Sequence, residues 1–593
     1  MKMNFHFDCI GSLIVLILVA LVIPTSIVTI AHSQGDSSVP KASPIYPIVR
    51  APLPAGIKLD ANVYVTMRDY VKIAVDIYRP EKEGRYPAIL SMSPYIKELQ
   101  QWPPLLTHSI EAGNTPFLVS KGYVHVIVQI RGTGLSQGQY NYYSIKEHQD
   151  GYDLVEWIAQ QPWCNGNVGM TGDSYFGMTQ WLVAGQKPPH LKCIAPYEAK
   201  TDIYRDTAYE GGHYGGSFFS QWALDTIYQA FWPGPVEGKL PPANFITDIL
   251  SNPFDGPYYW ERSGWTKIDK IEIPVLVMTT PGSSHSQGML RSYPKIKGPK
   301  KLLVLPIPGF YSHVLFIRSH PLNEYIVKWF DYWLKGVNNG IMDEPQVTIF
   351  DPGTNDWRYE NEYPLARTRW TKFYLRSNPA GPATKPPYGL ISREAPSGSE
   401  NPDTYMTPDE KEVMSRKPVI AYSTPPLTED LRVWGPLSTI LYGSTTTRDT
   451  TWFVHLGDEG PDGKVKFLSW SNLKASLREV DESKSEPGTP FHPFRNPSLP
   501  EPNKVYKFEI GMKPVFHTFK AGHKIWLQIQ SDDANYQTRL HTVYNAEMLP
   551  FPGKNTVYHD TINPSHLLLP VIPGAPMIKP VEPPVSQIRW PLE

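Results

Sequence analysis

Between residues 60 and 80 apolar and polar positions alternate one for one: Val63, Val65 and Met67, then Val71, Ile73, Val75 and Ile77, with Arg68 and Asp69 between the two runs. A period of two marks half-buried strands, so this stretch predicts a β-hairpin. Further along, alternation gives way to short unbroken apolar runs at 87–92, 124–130, 168–171, 191–196, 274–279 and 302–305. Strands buried on both faces read this way, which is the pattern of a mostly parallel sheet covered by helices. Between several of them the period becomes 3.6. Residues 151–160 place Tyr152, Leu154, Val155 and Ile158 on one helical face, and 325–335 forms a second amphipathic pattern. Over residues 59–345 this alternation predicts an α/β domain whose ligands bind at the carboxyl ends of the strands.

Two regions break the alternation. Residues 200 to about 268 form an aromatic, glycine-rich block, TDIYRDTAYEGGHYGGSFFSQWALDTIYQAFWPG, which predicts a helical cap inserted over the sheet edge. From 346 to 593 the pattern turns β-rich with frequent turns, as in TRWTKFYLRS, KVYKFEIGM and HKIWLQIQS. That segment predicts a second, all-β domain of sandwich or jelly-roll type.

A chain of 593 residues exceeds one ordinary core, in line with two large units. Lys+Arg 56 against Asp+Glu 57 leaves a formal charge of -1, which argues against nucleic acid or any other polyanionic partner. Lys2 precedes an apolar run over 10–23, followed by Pro24 and a small-residue exit near Ala31, His32 and Ser33. Residues 1–33 therefore read as an export signal. Because apolar character resumes to Ile30, an uncleaved N-terminal membrane anchor is the competing reading. Both place the body of the protein outside the cytoplasm, secreted or at the cell surface. Residues 34–58 are rich in Pro and Ser and read as a linker. With Cys9 in the signal, Cys164 and Cys193 are either one disulfide or two buried thiols. No metal-ligand spacing occurs, and neither a metal nor a cofactor is expected.

The strongest local signal for chemistry is NGNVGMTGDSYFGMTQWL at 165–182. An apolar strand runs through Val168 and Met170 into Gly172, Asp173, Ser174, Tyr175, Phe176 and Gly177, then into an apolar helix. This is the layout of a nucleophile elbow, in which a tight turn lifts a serine hydroxyl above the sheet edge. Ser174 is the candidate nucleophile, and the Tyr175 N–H faces the developing oxyanion. The second glycine stands three residues after the serine instead of two, with Phe176 in its usual place.

Several further motifs stand in order around the elbow: SPYIK at 93–97, QIRGTGLSQG at 129–138, EHQDGYDLVEWIAQQPWCNGNVGMTGDSYFG at 147–177, DYWLKG at 331–336, and YSTPPLTEDLRVWGPLSTILYG and FHTFKAGHKIWLQIQS near the C-terminus. Over about residues 60–540 the chain resembles the cocaine esterase and X-Pro dipeptidyl-peptidase group of α/β-hydrolases. The resemblance implies an α/β-hydrolase sheet with an inserted helical cap, followed by a jelly roll. It implies Ser174 as nucleophile and Tyr95 as a phenolic oxyanion donor beside the Tyr175 N–H. It also places the general base at His313, in LLVLPIPGFYSHVLF after the last core strand, with His285 as a rival. For Arg131, in the RGTG turn, a structural role is expected.

The triad acid departs from the group's pattern. Where an aspartate belongs, after PVLVMTT, the loop PGSSHSQGM has no carboxylate, and Ser283 occupies the position. The neighbouring strand ends in Glu198 and, four residues on, Asp202. Either could take over the acid's role, with Glu198 first. The competing reading of Glu198 is a cap-loop carboxylate paired with Lys200 or Arg205. The expected activity is hydrolysis of an ester or amide through an acyl-enzyme, by an acyl esterase, an α-amino-ester hydrolase or an X-Pro dipeptidyl-peptidase. Its substrate would be a small ester, an amide or a short peptide. Glu210 is a candidate to hold a substrate ammonium, but too few residues precede the sheet for the helical N-terminal domain of dedicated X-Pro peptidases, which favours an ester or small amide. A degenerate hydrolase fold kept for binding is the alternative of another class.

Overall fold

The computed structural model describes residues 50–102, 110–215, 218–306, 319–378, 389–407, 420–530 and 553–574. The expected signal, most of the linker and His313 lie outside them. Ten strands make the first sheet: β1 (Ile57–Thr66), β2 (Lys72–Pro80), β3 (Tyr86–Ser93), β4 (Val124–Gln129), β5 (Cys164–Asp173), β6 (Leu191–Tyr197), β7 (Val275–Thr279), β8 (Lys300–Val304), β9 (Val347–Asp351) and β10 (Asp356–Glu360). Their spatial order is β1-β2-β4-β3-β5-β6-β7-β8-β9-β10. From β4 to β9 all neighbours run parallel. The expected hairpin is the antiparallel β1–β2 pair at one edge.

Helices α1 (Thr115–Ser120), α2 (Ile145–Ala159), α3 (Tyr175–Ala184) and, further along, α8 (His320–Lys335) cover the sheet. Alternate residues of β3 serve opposite cores. Ala88, Leu90 and Met92 pack with Leu154 and Ile158 of α2 and Trp181 of α3, whereas Ile89 joins Leu118 of α1 and Trp329 and Phe330 of α8. Burial on both faces is why these strands read as continuous apolar runs. The chain leaves β3 toward β4 on one side and leaves β5 toward β6 on the other. Beyond the carboxyl ends of β3 and β5 there is thus a topological switch point, where open α/β sheets bind ligands.

Helix α2 starts at Ile145, six residues before the amphipathic pattern that predicted it. Its first turns bury Glu147, His148 and Asp150, so polar residues stand on the inner face and hide the period. Between β6 and β7 lie the cap helices α4 (Phe218–Phe231), α5 (Phe245–Ser251) and α6 (Pro257–Arg262), followed by α7 (Ser286–Ser292) after β7. The RGTG loop after β4 is tied to the cap by the Gly138 N–H to Gly238 carbonyl bond (2.8 Å).

The C-terminal domain is the all-β jelly roll, with strands from Arg369–Ser377 to His566–Val571. Its longest pair, Leu431–Thr445 with Tyr506–Phe519, is antiparallel. Its core includes Val433, Leu441, Trp452, Leu456, Phe508 and Leu527. The first sheet runs past the boundary read at 345: β9 pairs with β8, and β10 with β9. A short strand pattern does not say which sheet the strand joins, so the pattern change at 346 marks the start of β-rich sequence and not the end of the sheet. Cys164 and Cys193 are buried free thiols.

Candidate active site

Ser174 stands between the last residue of β5 and the first of α3, with φ 56° and ψ -117°. A non-glycine residue with φ > 0 stores strain, and such residues cluster at functional sites. Its N–H donates to the Tyr197 carbonyl at 3.0 Å, and its carbonyl accepts from the Met178 N–H at 2.8 Å, so both neighbouring elements hold the turn. Gly172, at φ 137°, approaches Phe176 so closely that an added Cβ would lie 2.3 Å from the Phe176 Cβ. Gly177 faces the end of β6, where an added Cβ would lie 2.7 Å from the Tyr197 carbonyl oxygen. The displaced glycine therefore has a steric cause: the third position after the serine is the one pressed against the neighbouring strand. Phe176 fills the second, fully buried, with its ring 6.0 Å from that of Tyr95.

Tyr95 follows β3, on the other side of the switch point. It is buried, with its ring edge-on to that of Tyr175 at 6.0 Å. Burial raises its phenol well above the ordinary range, so the group keeps its proton and can donate. Tyr175 is the first residue of α3, and its N–H is among those a helix leaves without an intrahelical acceptor. The Tyr175 ring stacks on Tyr143 at 4.0 Å, and its hydroxyl donates to Glu147 Oε2 at 3.0 Å. Burial pushes the Glu147 carboxyl up to about 8.

Glu198, just past β6, also has positive φ (43°), and its N–H donates to the Met278 carbonyl at 3.0 Å. This backbone turns its carboxylate into the loop after β7. Oε1 accepts from the Thr280 N–H (2.6 Å), Thr279 Oγ1 (3.0 Å) and Thr280 Oγ1 (3.1 Å), and Oε2 accepts from Ser283 Oγ. A carboxylate from β6 thus meets Ser283, the residue found where the aspartate was expected. Burial pushes the Glu198 carboxyl up to about 7, against the opposing pull of the Ser283 and Thr279 hydrogen bonds.

Asp202 is engaged elsewhere. It caps the turn at Tyr204 and Arg205, and pairs with Arg205 Nη1 at 3.0 Å and Arg291 Nη2 at 3.6 Å. Glu210 pairs with Lys513 of the jelly roll at 3.1 Å. Arg131 is clamped by Asp150 (2.5 Å) and Asp69 (3.2 Å). The His285 ring meets Ser284 Oγ at 3.3 Å. His313 lies outside the described residues.

Two elements of the site carried no recognisable sequence signal. Trp222 of α4 donates its indole N–H to the Tyr95 hydroxyl at 3.0 Å, and nothing in a cap-helix tryptophan distinguishes it from a core aromatic. Thr279 and Thr280 could have been singled out only by knowing which carboxylate they receive.

Residues 69–308 match the family model of the X-Pro dipeptidyl-peptidase (S15 family), and residues 339–568 match that of the X-Pro dipeptidyl-peptidase C-terminal non-catalytic domain. The cocaine esterase of Rhodococcus sp. (strain MB1 Bresler) is 27% identical over 586 residues, covering 86% of this chain and 98% of its own length. Among solved structures, a CocE/NonD family hydrolase from Staphylococcus aureus has a TM-score of 0.76 at 23% identity, covering 88% of this chain and 97% of that one. An alpha-amino acid ester hydrolase has a TM-score of 0.67 at 19% identity, covering 90% and 100%. Likeness at these identities speaks for the fold, while the two family models, in order along the chain, speak for descent. The chain belongs to the X-Pro dipeptidyl-peptidase (S15) family of serine hydrolases.

Proposed function

We propose that this protein is an exported hydrolase that cleaves an ester or small amide through an acyl-enzyme on Ser174. The observation that carries the reading is Ser174 itself, held at φ 56° in the turn between β5 and α3 at the switch point. Ser174 Oγ attacks the substrate carbonyl while His313 accepts its proton. The Tyr95 hydroxyl and the Tyr175 N–H hold the oxyanion, and the same histidine returns the proton to the leaving group. Water then attacks the acyl-enzyme by the same route in reverse. Glu198 orients His313 and stabilises its imidazolium, in the chain order Ser, Glu, His. Its place in the loop after β7, among Thr279, Thr280 and Ser283, supports that role.

The rings of Tyr142, Tyr175, Phe219 and Trp222 lie together beside Tyr95. The pairing of Glu210 with Lys513 weakens its claim to a substrate ammonium, which favours an ester or small amide over a peptide with a free amino end. Export is supported by the apolar run at 10–23 behind Lys2.

Labelling by a fluorophosphonate probe tests the reading. The folded wild type should react, and Ser174→Ala should not; an unlabelled wild type would defeat the proposal. Nitrophenyl esters set against Xaa-Pro anilides then separate the substrate classes, with faster turnover expected on the esters.

A further inference from the structure

Trp222 and Tyr95 are 127 residues apart in sequence, yet the indole N–H of one donates to the hydroxyl of the other at 3.0 Å. The contact joins the cap to the sheet edge at the group that the proposed mechanism uses as an oxyanion donor. A phenol carries one proton, and its oxygen also accepts. Once that oxygen accepts the indole N–H, its own O–H must point away from the indole. The Tyr95 ring lies beside the elbow, edge-on to Tyr175 and Phe176, the two residues that follow Ser174. Accepting one hydrogen bond also polarises a hydroxyl and strengthens the bond it donates.

The indole cannot readily turn away. Its ring lies 5.4 Å from Tyr142, 5.9 Å from Phe219 and 6.1 Å from Tyr175, a cluster that fixes where the N–H points. Tyr95 is held in turn by edge contacts from Tyr175 and Phe176, both at 6.0 Å. We infer that Trp222 is a positioning residue: its N–H fixes the Tyr95 hydroxyl with the proton turned away from the indole, so that the oxyanion hole is completed by the cap. The inference rests on the proposed role of Tyr95 and adds that cap and sheet must be docked for the donor to be aimed.

A double-mutant cycle on the full chain, with 4-nitrophenyl acetate as substrate and thermal melting as a control for folding, tests it. Tyr95→Phe should lower kcat about 10²- to 10³-fold, as expected for loss of an oxyanion donor. Trp222→Phe should lower kcat about 3- to 10-fold, the worth of one hydrogen bond, with little change in KM. Combined with Tyr95→Phe, it should cost nothing further, because its effect passes through the missing hydroxyl. Replacing Trp222 by 3-benzothienylalanine, which keeps the ring shape and lacks the N–H, should reproduce the loss even where the phenylalanine variant melts early. Wild-type kcat in the benzothienyl enzyme, a raised KM at unchanged kcat, or an equal Trp222→Phe loss in both Tyr95 backgrounds would overturn the positioning role and leave Tyr95 as a donor. Full activity in Tyr95→Phe would overturn both.

Discussion

Glu198 is held in a backbone conformation that costs a non-glycine residue about 1–3 kcal/mol, and its carboxyl is fully buried beside β7. Both burdens make sense if the loop after β7 needs a carboxylate that its own sequence lacks. In serine proteases, loss of the triad acid's charge costs about 10⁴-fold in turnover. Glu198→Gln should therefore lower kcat by two to four orders of magnitude with folding intact, as read by steady-state kinetics and circular dichroism; an unchanged rate would remove Glu198 from the mechanism. The group's titration gives a second test. Its pKa rises from the ordinary value of 4.5 to about 7 on folding. The stability it contributes is thus fully present below about 4.5 and is lost as pH rises through about 7. Activity moves the opposite way, since only the ionised form supports an imidazolium, and kcat should climb over the same interval. Melting temperatures at pH 5 and pH 8 should show Glu198→Gln gaining on the wild type as pH rises.

Packing between α3 and the end of β6 decides whether the serine is presented at all. Every residue of α3 is buried, so the helix has no free side toward which to shift. Gly177→Ala would bring a methyl group to 2.7 Å from the Tyr197 carbonyl oxygen and 2.8 Å from the Ala199 Cβ. Overpacking of this kind typically costs about 1–3 kcal/mol. Urea unfolding should show that loss, and because Ser174 begins this helix, kcat should fall at least tenfold as well. The displaced glycine was legible in the sequence, but its reason was not, since Tyr197 and Ala199 come into view only once β6 is placed beside β5. The start of α2 was hidden differently, by inward-facing Glu147, His148 and Asp150, which break the apolar period.

At the scale of the whole molecule, the jelly roll is joined to the hydrolase domain by polar contacts. Arg205 pairs with Asp202 (3.0 Å) and Asp255 (2.9 Å), donates to the His492 carbonyl at 2.8 Å, and lies over the Phe491 ring at 4.5 Å. Arg205→Ala leaves two buried carboxylates with less compensation, a change that costs about 3–5 kcal/mol for buried pairs. Calorimetry should show a lowered melt in which the two domains separate into distinct transitions; a single, unshifted transition would deny Arg205 its joining role. Asp351, at the end of β9, makes a similar link, accepting from the Thr518 N–H at 3.0 Å and from Trp434 Nε1 at 3.2 Å. The strands over 347–360 belong to the first sheet through the β8–β9 and β9–β10 pairing, and Asp351 ties that end of the sheet to the second domain.

The sequence by itself determined what depends on near neighbours. Continuous apolar runs and helical periods specified a parallel sheet covered by helices, and Gly172, Ser174 and Tyr175 in series specified the elbow, because a turn is built from consecutive residues. The missing aspartate was equally visible, as a loop with Ser283 and no carboxylate. Only the tertiary structure decided that Glu198, and not Asp202, reaches that loop, and that Trp222 meets Tyr95. Those contacts follow from strand order and cap placement, which bring distant residues together at no fixed spacing along the chain.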